Sequence, residues 1–289
     1  MWFFYSLFYA FWEASQTFLT KKLTKKISPL PLLYIFFLFN IPTTFILLLF
    51  LGGFPHATSN FYLYMAVAGL LDTVAFVSSY SAISQSSISL IWPIVSFGPV
   101  FTTVIAIFAL HEIPTLVKFI GILFVVLGAY LLNVVDIKQG ILTPFKTLFS
   151  NKGVMLFLFA NFLWGITPIF QKKAIFETTP QIPLFASVVG MCFVFLFLTP
   201  FALKKAIGSF REIGTNIKWF FLNGVGTAFS QAAAYAAFAL VFVGYATSIF
   251  RLSSLFVIVL GGIFLKEERI KERLLGASVM VVGAILLVV

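Results

Sequence analysis

Charge is what this sequence has least of: Asp, Glu, Lys and Arg make up only 10% of its 289 residues. Soluble domains carry about a quarter charged residues, so a water-facing surface could not be built from so few. With one cysteine and two histidines, the chain also lacks the makings of a disulfide or of a His/Cys metal centre. Cys192 stands alone in an apolar run and reads as a small packing residue. Acids are scarce against nineteen Lys and Arg, which leaves a net charge of +10. Such an excess can mark nucleic-acid binding, but these basic residues lie between apolar runs, where they set membrane orientation instead. Nucleic acid, metal and cofactor are therefore not expected as partners. The first twenty residues lack a basic leader and a small-residue cleavage site, and they carry Glu13 and Gln16 in mid-run. They are expected to form a retained helix, not a signal peptide.

Apolar residues, by contrast, reach 61% at a mean hydropathy of +1.08. A chain of this size cannot hide so much oil in a core surrounded by water, so lipid has to be the solvent. Apolar runs of about 18 residues or more match a hydrocarbon core of about 30 Å at 1.5 Å per residue. Barrel strands would instead alternate over short segments. The runs fall at 2–20, 30–51, 61–82, 88–110 and 116–134, then at 153–173, 182–203, 219–241, 245–265 and 274–289. The expectation is an all-α, multi-pass inner-membrane protein with ten transmembrane helices. Residues 1–134 would form a first five-helix repeat and 153–289 a second. Residues 135–152, with Pro144 and three lysines, would be the linker, and 141–149 would lie along the interface.

The halves repeat. Glu112, Gly121 and Gly128 recur as Glu267, Gly276 and Gly283, at a constant offset of 155 residues (276 minus 121). The same offset pairs Gly69 with Gly224, Tyr80 with Tyr235 and Ala82 with Ala237, while Trp12 pairs with Trp164 at 152. Shared register over several helices signals duplication. An odd number of helices per unit would invert the second, giving a pseudo-two-fold axis in the membrane plane and a site between the halves. Of the Lys and Arg residues, fifteen lie in the loops after the odd-numbered spans and three (Lys118, Lys172, Lys173) near the others; the nineteenth is Arg251. The positive-inside rule places both termini outside.

Several segments resemble the EamA-type proteins of the drug/metabolite transporter superfamily. They are Leu163-Trp164-Gly165, Tyr80-Ser81-Ala82-Ile83, Ser96 to Phe101, and the two segments Leu110-His111-Glu112 to Gly128 and Leu265-Lys266-Glu267 to Gly283. The resemblance covers nearly the whole chain. It implies ten helices, an inverted repeat, and export or exchange of small metabolites or drugs; members often keep both termini in the cytoplasm, opposite to the charge count. The first helix is also similar to the small multidrug resistance branch, through Glu13, Thr17 and Lys21, and departs from it at Trp12 and Gln16.

Three ionisable side chains fall well inside the runs: Glu13, Asp72 and Arg251. Facing lipid, each would cost roughly 2.5–3.5 kcal/mol, so they are expected to point into the bundle. Polar residues share helical faces with them. Ser6, Tyr9, Glu13, Gln16, Thr17 and Thr20 form one stripe; Asn161, Trp164, Thr167, Pro168 and Gln171 another. Ser89, Trp92, Ser96 and Pro99, then Thr227, Gln231 and Tyr235, then Thr247, Arg251 and Ser254, make three more. Burial of Glu13 among Phe11, Trp12 and Phe18 favours the neutral carboxyl and a nearby cation the charged one. A group so balanced suits exchange of a proton or cationic solute, with an ion pair to Arg251 as the structural alternative. Arg251 would either hold a solute carboxylate or phosphate in its planar fork or neutralise Asp72 or Glu13. Asp72 fits a structural hydrogen bond or a transport role. Trp12, Trp92 and Trp164 are candidates for site walls, whereas Trp2 and Trp219 fit the interfacial belt. Tyr80 and Tyr235 would close one end of the cavity or simply pack. Pro93, Pro99 and Pro168 are expected to kink their helices. Glu112 and Glu267 are expected to cap helix ends or pair with Lys118 or Lys271.

The reading is a secondary transporter, most plausibly an exporter, monomeric, moving a small solute by alternating access, with protons as a candidate coupling ion through Glu13. An anion uniporter or exchanger using Arg251 is the alternative, and an intramembrane lipid-handling enzyme the minor one.

Overall fold

A computed structural model describes residues 1–23, 27–85, 95–133, 151–265 and 270–289. The chain folds as a helical bundle. Its elements are α1 (Trp2–Leu23), α2 (Pro29–Leu51), β1 (His56–Ala57), α3 (Ser59–Gln85), α4 (Gly98–Ala109), α5 (Leu116–Asn133), α6 (Lys152–Phe176), β2 (Thr178–Thr179), α7 (Pro183–Ile207), α8 (Phe210–Leu240), α9 (Val243–Phe250), α10 (Ser253–Leu265) and α11 (Ile270–Val288). The predicted linker falls outside the described residues, apart from its last two.

The expectation of ten membrane-spanning helices is corrected here. Among the described residues, four helical stretches are long and apolar enough to cross a bilayer: Pro29–Leu51, Ser59–Ala82, Lys152–Phe176 and Pro183–Ile207. The remaining elements fall short for separate reasons. α4 has 12 residues, a rise of only about 18 Å. The run 245–265, expected to be continuous, breaks at Arg251–Leu252 into α9 and α10, of 8 and 13 residues. At the break the amides of Arg251 and Leu252 bond to Ser248 and Ile249, three residues back, the tighter pairing that ends an α-helix. The described apolar parts of α5 and α11, Leu116–Leu132 and Leu275–Val288, are short. α1 and α8 carry too many polar side chains: Glu13 and Gln16 in the first, Asn216, Asn223 and Gln231 in the second.

Local chemistry explains several helix ends. Asn151 caps α6 by accepting from the amides of Gly153 and Val154 at 3.0 and 3.2 Å. Prolines open α2, α4 and α7 in the first turn, where a missing N–H costs nothing. Pro99 thus starts α4 instead of kinking it, and Pro93 lies outside the described residues. Pro168 does sit inside α6, as Pro42 and Pro200 do in α2 and α7.

Packing between the halves is reciprocal. α3 lies along α6 and α1 along α8; α2 meets α8 and α3 meets α7; α4 lies on α6 and α1 on α9 and α10; α5 faces α11 and α4 faces α9. Exchanging the halves turns each contact into another on the same roll. The repeat mates Gly69 and Gly224 show it in detail. A Cβ on Gly69 of α3 would meet Phe193 of α7 at 2.6 Å, and one on Gly224 of α8 would meet the Phe39 carbonyl of α2 at 3.0 Å.

The spaced glycines form the closest seam. Without side chains at Gly121, Gly128, Gly276 and Gly283, the backbones of α5 and α11 touch: added Cβ atoms would lie 3.0, 2.6, 2.9 and 2.7 Å from carbonyl oxygens of the facing helix. In lipid, where oil gives no hydrophobic drive, such small-residue contact is the main source of helix association. Gly128→Ala is therefore expected to cost about 1–3 kcal/mol, read as a lower Tm of the detergent-purified protein. Gly214→Ala is the control, since an added methyl there meets nothing within 4 Å and should not lower Tm.

Candidate functional site

One end of the bundle is tied together. The loop before α3 pairs with the loop after α6 as β1 and β2, His56 opposite Thr179 and Ala57 opposite Thr178. Beside them the Thr58 hydroxyl donates to the Glu177 carboxylate at 2.6 Å. The Lys172 ammonium donates to Glu112 Oε1 at 2.6 Å and to the Val241 carbonyl at 2.6 Å. The second Glu112 oxygen accepts from the Val243 amide at 2.8 Å and so caps α9. Both charged side chains are buried. Glu112 is thus a capping residue as expected, but its cation is Lys172; Lys118 instead donates to the Leu287 carbonyl at 2.8 Å, holding the end of α11. The opposite end carries further basic residues, among them Lys152 at the start of α6 and Lys204 and Lys205 in the last turn of α7.

A polar centre lies deep between the halves. Glu13 of α1 interacts electrostatically with Arg251 at the α9–α10 break, with the Ser253 hydroxyl beside its carboxyl. Asp72 of α3 has the Thr167 hydroxyl of α6 as its neighbour. Tyr9 feels Glu13, Arg251 and Asp72, and Tyr235 feels Asp72 and Tyr9. Yet the charges are not neutralised in pairs. Among the described residues the one ion pair within 4.0 Å is Lys172–Glu112, so Glu13 and Arg251 are near each other without touching. The Arg251 Nε is buried with no hydrogen-bond partner. Its guanidinium stands over Gly98 at the start of α4, where a Cβ would meet Nη2 at 3.0 Å and Asn161 Oδ1 at 3.2 Å. Glycine makes room for the cation.

Two cavities lie in the bundle, one of them with Asp72 and Tyr235 of this centre in its wall and neither lined by Glu13 or Arg251. One of about 110 Å³ lies beneath the tied end and is lined by Asp72, Gln171, Ser187, Gln231 and Tyr235 among apolar neighbours. Another, of about 180 Å³, lies toward the basic end, with Gln16, Thr20 and Tyr80 among its walls. Tyr80 and Tyr235, expected to close the same end, therefore line different cavities. A larger groove of about 410 Å³ between α1, α10 and α11 is apolar and carries none of the predicted site residues.

A buried amide chain joins three helices next to the second cavity. Gln16 donates to Asn223 at 2.9 Å, and Asn223 donates to Asn40 at 3.0 Å. One turn away the Trp12 indole donates to Thr227 at 3.3 Å and lies against Gly226, where no other residue would leave room for the ring. Asn40 and Asn223 were missed in the sequence. Their signal was an asparagine in an apolar run, which lipid makes costly unless it is paired.

The other predicted residues distribute as follows. Trp164 packs edge-on against Phe76 and Phe157, and Phe76 is itself a wall of the smaller cavity. Ser96 is buried near the start of α4. Trp92 and Ser89 lie outside the described residues. Thr17 faces outward, its hydroxyl bonded to the Glu13 carbonyl at 3.0 Å, and leaves the predicted stripe.

Replacing Asn223 by Ala should leave the amides of Gln16 and Asn40 without their partner, at about 1–3 kcal/mol. Thermal unfolding measures it, and Thr17→Ala on the outer face should fall within about 0.5 kcal/mol of the parent.

No curated protein matches the chain. Among solved structures, one crystal structure of a protein superposes with a TM-score of 0.72 over 98% of this chain and 98% of its own, at 13% identity, which speaks for the fold alone. The EamA-like transporter family matches residues 1–134 and again residues 151–289. The chain, a multi-pass membrane protein, belongs to the EamA-like transporter family of the drug/metabolite transporter superfamily.

Proposed function

We propose that the protein is a secondary transporter that exports a small metabolite, amino acid or drug by alternating access, acting as a monomer. Residues 1–134 and 153–289 would be the two moving bodies, joined by 135–152. The observation that carries this reading is the polar centre itself, where Glu13 and Arg251 approach each other between the halves without forming an ion pair. Even half-buried, charges left unpaired inside an apolar bundle are costly, and a passing solute or proton is the partner that offsets the cost during a cycle. Glu13 is the coupling group in this scheme. Arg251 holds an anionic part of the solute, its Nε unengaged and its planar fork suited to a carboxylate or phosphate. Asp72, Gln231 and Tyr235 shape the cavity beneath the tied end, and Gln16 and Tyr80 shape the cavity toward the basic end. Ser96 and Trp164 complete the surroundings of the site in this scheme; the third residue expected there, Trp92, is outside the described residues.

The unengaged Arg251 Nε also favours a second reading, uniport or exchange of an anionic solute without protons. Proteoliposomes separate the two. In the first, Glu13→Gln abolishes flux driven by a pH gradient while counterflow persists; unchanged gradient-driven flux would defeat the coupling role. In the second, flux ignores the gradient and is stimulated by internal solute. In either, Arg251→Gln raises KM for an anionic solute by about tenfold or more, the loss of a charge-assisted hydrogen bond.

A further inference from the structure

The shortest helix among the described residues joins the tied end to the polar centre. All eight residues of α9 are buried, and they span about 12 Å. Its first amide, on Val243, is held by Glu112 Oε2, and two residues earlier the Val241 carbonyl is held by Lys172. The residue that ends it is Arg251. α9 is also seated on α4 at both ends. Gly244 lies against Thr103, and the Arg251 guanidinium lies over Gly98. A short buried helix with its first turn fixed by one carboxylate moves as a rod, so a shift at either end is felt at the other.

We propose that the Glu112–Lys172 knot is the gate of the tied end, and that Glu112 is a positioning residue for Arg251 acting through α9. Three observations support a gate over a static brace. Gln171, on the same turn of α6 as Lys172, is part of the wall of the cavity under the tied end, so a shift of that turn when the knot opens moves the cavity wall. His111, next to Glu112, holds a left-handed backbone with φ of 56° just past the end of α4, an uncommon conformation for a residue other than glycine and one found at functional segments. A buried ion pair is also a poor device for stability, because apolar side chains of similar size fill the same place at no desolvation cost. With the knot closed, the centre is sealed from this end. A solute that draws the Arg251 guanidinium off Gly98 pulls α9 from the Glu112 carboxylate, and the knot opens. The proposal rests on the transporter reading above.

Cysteine labelling of the full chain in membrane vesicles tests it without knowing the solute. In a Cys192→Ala background, Ser187→Cys reports on the cavity under the tied end and Thr20→Cys on the cavity toward the basic end. A membrane-impermeant maleimide applied from the tied side is expected to label Ser187→Cys slowly. Glu112→Gln should raise that rate about tenfold, within the usual range of conformational coupling, while Thr20→Cys is labelled from its own side no faster. Glu112→Asp, which keeps the charge, should stay near the parent rate. Arg251→Gln should raise Ser187→Cys labelling as well, because it frees the far end of α9. Equal Ser187→Cys rates with and without the Glu112 carboxylate overturn the gate, and so does a rise at both reporters together, the mark of a loosened bundle. An Arg251→Gln rate equal to the parent overturns the link through α9. Unchanged gradient-driven flux in Glu13→Gln would remove the coupling ion and leave these labelling rates untouched.

Discussion

A polar group inside an apolar bundle in lipid must find its partner within the protein, because no water is there to accept it. That requirement organises this structure. It joins Gln16, Asn223 and Asn40 across α1, α8 and α2, and turns the hydroxyls of Thr43, Thr44, Thr73, Thr102 and Thr103 back onto carbonyls of their own helices. Among the described residues, it also brings the buried charges of Glu112 and Lys172 together, with a helix amide and a carbonyl to share. Against that background the polar centre is the exception: Glu13, Asp72 and Arg251 lie deep in the bundle, have hydroxyls or tyrosines for neighbours, and are not paired off. Where the rule is relaxed, a visiting group has something to bind.

The two ends of the bundle divide the labour. The tied end carries a strand pair, the Thr58–Glu177 hydrogen bond and the Glu112 knot, each joining segments from different halves. The basic end carries the helix starts and stops rich in lysine. Between them lie the charged centre and the two cavities, one with Asp72 in its wall and the other with Gln16, within the reciprocal packing of the halves. The close glycine seam of α5 and α11 adds a further contact between the two halves.

Much of the fold was legible because lipid imposes a length and a composition on helices, and duplication imposes a register. The all-α class, the repeat and the contact role of the spaced glycines follow from these. The count of ten spans did not survive. A window of apolar residues does not reveal that 245–265 breaks at Arg251, or that α4 is a 12-residue piece. No proline or glycine marks the first break; the turn is set by three-residue backbone bonds and by the seat that Gly98 offers to the guanidinium.

The sequence by itself determined the solvent, the helical class, the internal repeat and the three charges that oil would not tolerate, since each depends on residue type and spacing alone. Tertiary structure decided which groups meet: that Glu112 takes Lys172 and not Lys118, that Tyr80 and Tyr235 line separate cavities, that Thr17 turns outward, and that α9 connects a carboxylate to an arginine. These are distances between residues far apart in the chain. They are fixed by how helices rotate and slide to satisfy every buried donor at once, and periodicity along one helix carries no record of that.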